Sequence, residues 1–133
     1  MKRTITYAAG ALVLLNVVGT IVAVTGDLGG NILNGSKTSI PLPVFLIEVG
    51  GALALAHARG IKALIAGGFA LLASTVSLAA VAFDGDLGHQ GLTSGQVACQ
   101  VAIALGTLTL WAAVLTTLAR QRTLKRKLAT TSL

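Results

Sequence analysis

Four long apolar runs, at residues 4–25, 41–58, 62–83 and 95–118, alternate along the chain with short polar stretches. About 20 apolar residues in a helix cross the roughly 30 Å hydrocarbon core of a bilayer, and each run is close to that length. The pattern predicts four membrane-spanning helices. The first run follows Lys2 and Arg3, as the core of a secretory leader would. It is longer than the roughly 7–15 residues of such a core, and no small-x-small cleavage site follows it, so it is expected to remain as a span.

Helical spacing sorts the polar and small residues inside these runs. Ala9, Asn16, Gly19 and Ala23 share one stripe of the first run, and Gly67, Ala70, Ser74 and Ser77 share one of the third. The fourth carries Ala98, Ala102 and Gly106 at steps of four, beside a second stripe of Gln96, Gln100, Ile103 and Thr107. Lipid offers no hydrophobic force between helices, so small residues that let backbones approach mark helix contacts. The Ala98–Ala102–Gly106 stripe is therefore expected to be a close contact of the fourth span. Trp111 lies too deep for an interfacial belt and is expected to pack within the helices. Cys99, the lone cysteine, reads as a small packing residue.

The linkers are short. Residues 26–40, GDLGGNILNGSKTSI, are rich in Gly, Asn and Ser and read as turns, with Asn34-Gly35 as a plain turn although Asn34-Gly35-Ser36 also fits a glycosylation acceptor. Pro41 and Pro43 suit the first turn of a helix, where amides lack partners anyway. The segment HARGI, residues 57–61, permits only a tight turn, which makes spans two and three antiparallel neighbours. Asp84, Asp86 and His89 in the last linker lack the spacing of a loop metal site and read as capped turns.

A tetrapeptide repeats. GDLG stands at residues 26–29 and again at 85–88, each time after a span running the same way. The 59-residue offset implies two tandem helical hairpins related by a parallel pseudo-twofold along the membrane normal, packed as an all-α, integral membrane four-helix bundle. Aligned through the ends of the hairpins, Glu48 of the first copy falls opposite Thr109 of the second. The acid therefore belongs to one half only.

Composition agrees with the pattern: 54% of residues are hydrophobic and 11% are charged, against about a quarter in soluble domains. The net charge of +6 matters through its placement. Lys2, Arg3, Arg59, Lys62, Arg120, Arg122, Lys125, Arg126 and Lys127 flank the spans on one side, whereas the other linkers hold Asp27, Asp84, Asp86 and Lys37. Basic residues stay in the cytoplasm, so a multi-pass plasma-membrane topology with both termini cytoplasmic is expected. The tail, residues 119–133, is expected to bind anionic lipid at about 1 kcal/mol per charge, with no nucleic-acid partner.

Glu48 is the one acid placed inside a span. Val44, Phe45, Gly51 and Ala52 share its face, which sets it against another helix and not against lipid. Asn16, Ser74 and Gln100 lie at similar depth and complete a candidate intramembrane polar site. The sequence has no Ser-His-Asp set, paired carboxylates, His cluster or Cys-x-x-Cys, and His57 and His89 fall on opposite sides. No enzyme, metal or cofactor is expected. The favoured reading is a non-enzymatic accessory or structural membrane subunit, in a homo-oligomer or a larger complex. The alternative is a small proton- or cation-coupled transporter or channel that uses Glu48.

Overall fold

The computed structural model describes residues 2–23, 28–83 and 91–131. It is all-α: α1 (Lys2–Val22), α2 (Leu28–Asn34), α3 (Leu42–His57), α4 (Ile61–Phe83) and α5 (Ser94–Thr131), with no strand among the described residues. Three of these helices, α1, α4 and α5, are long and apolar enough to cross a membrane.

α3 is apolar but shorter than its sequence run. Pro41 stands outside the helix with ψ 135°, and Ala58 turns extended with ψ 168°, which leaves 16 helical residues. At 1.5 Å per residue that is about 24 Å, short of a full crossing. The linker 26–40, read from sequence as turns, contains the seven-residue α2, too short to show a periodicity. α2 ends at Asn34, and Gly35 follows with φ +76°, so the expected Asn-Gly turn is present as a helix stop. Helix α5 has 38 residues and continues well past Leu118. Apolarity ends there, but Leu, Ala, Arg, Gln and Lys are strong helix formers, so the helix does not.

The four longer helices pack in the cyclic order α1, α3, α4, α5, and the α3–α4 interface is the most extensive. The turn between these two is the tight one expected, with Gly60 at φ +68°, where a side chain would be strained. Each helix turns one stripe inward: Ile5, Ala9, Leu12, Asn16 and Gly19 on α1, and Ala63, Gly67, Ala70, Ser74 and Ser77 on α4. Ala73 is buried on α4 as well; each of the five residues named for α4 lies 58 positions after its counterpart on α1. The repeated GDLG gives 59, a difference worth about 100° of helix rotation, and it falls at least partly outside the described residues.

On α5 the inward stripe is Cys99, Ile103, Thr107, Leu110 and Val114. The Ala98–Ala102–Gly106 stripe therefore is not the buried one: Ala98 is exposed, and Ala102 and Gly106 are half-buried, Gly106 lying close to the Leu12 and Leu15 side chains. Large aliphatic and aromatic residues such as Leu14, Ile21, Leu46, Ile65, Phe69, Leu72 and Leu105 point outward on every longer helix. A surface so apolar is suited to lipid and not to water.

Candidate functional site

Loop 35–41 enters the helix ring at the end where α1 and α4 finish. Thr38, Ser39 and Ile40 are buried at 2%, 8% and 8% exposure. Irregular backbone at such depth is tolerated only when every amide and carbonyl finds a partner within the protein. Ser36 and Ser39 exchange backbone N–H···O bonds of 3.2 Å in both directions. Their hydroxyls lie 2.7 Å apart, and the Thr38 amide donates to Ser36 Oγ at 3.2 Å.

The remaining partners come from the helices. Asn16 Oδ1 accepts from the Ile40 amide at 2.7 Å, and Gln100 Nε2 donates to the Lys37 carbonyl at 2.7 Å. Thr38 Oγ1 donates to the Gly19 carbonyl at 2.8 Å. Gly19 is required here because a Cβ would collide with the Thr38 carbonyl. Asn16, on a stripe expected to mark a helix contact, faces the loop instead. Asn16 and Gln100 are thus loop fasteners.

Glu48 lies deeper and is fully buried. Ser74 Oγ donates to its Oε1 at 3.0 Å and Ser77 Oγ to its Oε2 at 3.3 Å, both from α4. Thr107 brings a third hydroxyl towards the carboxyl from α5, but not in hydrogen-bonding geometry. That hydroxyl, on a residue 2% exposed, has no hydrogen-bond partner among the described residues. Thr109, the residue aligned with Glu48 from sequence, is exposed and donates to Leu105 of its own helix.

A cavity of about 330 Å³ separates the loop from α3, α4 and α5. Ser36, Thr38 and Ser39 line one side, and Val44, Ser77, Gln100 and Ile103 the others. Ser77 belongs both to this wall and to the Glu48 bonds, so the carboxyl lies one hydroxyl behind the cavity. Towards the other end the interior turns aliphatic, with Ile5, Leu12, Leu55, Leu110 and Val114 at 0–2% exposure. That half contains no buried polar side chain among the described residues.

Of the four residues expected to form one polar site, Ser74 reaches Glu48, while Asn16 and Gln100 hold the loop. Ser77 bonds the carboxyl instead and Thr107 lies beside it; both lie on stripes visible in the sequence, three after Ser74 and seven after Gln100. Thr38 carried no such signal, because nothing local tells a loop that it will be buried. Asp84, Asp86 and His89 lie outside the described residues. Comparison with known protein families, with curated proteins and with solved structures finds no match to this chain.

Proposed function

We propose that the chain is a multi-pass plasma-membrane protein with both termini cytoplasmic, acting without catalysis as an accessory or structural subunit in a homo-oligomer or a larger membrane complex. α3 serves as a fourth, short crossing whose missing depth is made up by the buried loop, giving a four-helix bundle. The 58-residue recurrence of buried positions supports a pseudo-twofold. Exchanging α1 with α4 and α3 with α5 maps α1–α3 onto α4–α5 and α3–α4 onto α5–α1, and all four are packed pairs. Every Lys and Arg except Lys37 falls on the side assigned to the cytoplasm, and the basic extension of α5 is positioned for anionic lipid.

The observation that carries this reading is how the interior polar groups are used. Asn16 and Gln100 fasten the loop, both Glu48 oxygens tie α3 to α4, and the aliphatic half beyond offers no polar relay. The test is a pair of substitutions melted in one detergent. Gln at position 48 keeps the hydrogen bonding, so Glu48→Gln should cost well under 1 kcal/mol; Glu48→Leu strands two buried hydroxyls and should cost about 1–2 kcal/mol. Equal losses would remove the structural role.

One feature favours the transport alternative: the cavity reaches Ser77, directly before Glu48, and the Thr107 hydroxyl beside it is unbonded. A proton or small cation entering at the loop would meet the carboxyl there. In reconstituted vesicles this reading requires pH-dependent flux that Glu48→Gln abolishes at unchanged expression. Flux that survives the substitution sinks it.

A further inference from the structure

At the opposite end of the helices, a second cavity of about 390 Å³ lies between the start of α1, the α3–α4 turn and the extension of α5. Lys2, Arg59 and Lys125 line it, one from each of these elements, together with the polar Gln121 and the apolar Leu55 and Leu124. Three like charges around one void, although screened by solvent, favour an anion among them. No carboxylate among the described residues lines this cavity. Among the described residues the only carboxylate is Glu48, buried near the loop, and the other three acids, Asp27, Asp84 and Asp86, follow the far ends of α1 and α4 in the chain.

We infer that this cavity is a specific binding site for the phosphate of an anionic glycerophospholipid. Lys2, Arg59 and Lys125 surround the headgroup, Gln121 supplies a further polar contact, and Leu55 and Leu124 meet its apolar edge. A basic pocket between helices on the cytoplasmic side is where such headgroups are held. The site rests on the membrane reading above but goes beyond the general attraction of the α5 tail: the pocket draws its charges from three separate elements, and the tail from one. Arg122 and Arg126 lie on the same extension and do not line the cavity. They provide charge-matched controls.

The experiment adds phosphatidylglycerol, phosphatidylcholine of the same acyl chains, or inorganic phosphate to the full chain in nonionic detergent. It reads the lipid-bound fraction by native mass spectrometry and the melting temperature. Phosphatidylglycerol alone should remain bound and raise the melt. Arg59→Gln with Lys125→Gln should weaken that binding roughly thirtyfold, from two charges at about 1 kcal/mol each. Arg122→Gln with Arg126→Gln should leave it within a few-fold. All four side chains are exposed, so helicity by circular dichroism should hold. Equal weakening by both pairs would overturn the pocket in favour of diffuse attraction, and an equal effect of inorganic phosphate would overturn the lipid assignment. A protein that stays folded and monodisperse with no detergent would instead overturn the membrane reading itself, and the site with it.

Discussion

The half of the helix ring around the loop and the half around the α3–α4 turn are held together by different means. Around the loop, Asn16, Thr38, Glu48, Ser74, Ser77 and Gln100 form hydrogen bonds between elements. Around the turn, Ile5, Leu12, Leu55, Leu110 and Val114 fill the interior with no polar partner among them. In lipid an apolar side chain gains nothing by leaving water, so the second half depends on fit alone. The first half contains irregular backbone, and irregular backbone in a membrane requires donors and acceptors. Interior polarity here follows the loop, with Glu48 as the one group that exceeds what the loop needs.

The largest effect should come from spoiling the fit. Leu110 is fully buried where α5 enters the aliphatic half. Leu110→Ala leaves a void that neighbouring helices fill only partly; with no water-to-core transfer term in lipid, the cavity term of roughly 24 cal/mol per Å³ remains, about 2–3 kcal/mol for a leucine-sized void. Unfolding in detergent measures it. A loss under about 1 kcal/mol would mean that this half is not close-packed, and the contrast between the halves would collapse.

Next in size is an intrusion at the loop. Gly19→Ala pushes a methyl into the Thr38 carbonyl, and backbone on both sides leaves little room to yield. Overpacking of this kind costs about 1–3 kcal/mol. The loop, being the less fixed element, should lift and give up the Asn16–Ile40 and Thr38–Gly19 bonds together. Ser39→Cys, in a Cys99→Ala background, leaves both bonds in place and should then react faster with a water-soluble maleimide when Gly19→Ala is present. An unchanged rate would show that α1 moves in place of the loop. Asn16→Leu sharpens the point at smaller cost, about 1–2 kcal/mol, because it strands one buried amide and adds no clash.

What the sequence disclosed follows the same division. Helix faces were legible: the stripes through Asn16–Gly19, Glu48–Ala52 and Gly67–Ser77 are the buried ones, because in a continuous helix spacing alone fixes the face. The partners of those faces were not. Asn16 and Gln100 pair with backbone that arrives from 24 and 63 residues away in the chain, and no periodicity encodes such an encounter. On α5 two stripes competed, one of small residues and one of mixed size. The mixed one is buried, while of the small stripe Gly106 is approached by Leu12 and Leu15. Helix ends were the other weakness, for Pro41 shortens α3 while an uninterrupted run of helix formers lengthens α5.

The smallest expected effect tests whether a polar bond in this protein stabilises anything when no loop depends on it. Trp111 Nε1 donates to Thr75 Oγ1 at 3.1 Å, joining α5 to α4 on their exposed side. Thr75 Oγ1 also donates to the Leu71 carbonyl of its own helix at 2.7 Å, so it keeps a partner if the indole goes. Interhelical bonds in membrane proteins average about 0.6 kcal/mol. Trp111→Phe keeps a ring and removes the donor, and Thr75→Val removes the acceptor in nearly the same volume. Each should cost about 0.5–1 kcal/mol, and the double variant should cost little more than either, since both break one bond. Additive losses would mean that the bond contributes nothing and that packing accounts for each change. The indole would then be a filler like the leucines below it, and hydrogen bonding would matter only beside the loop.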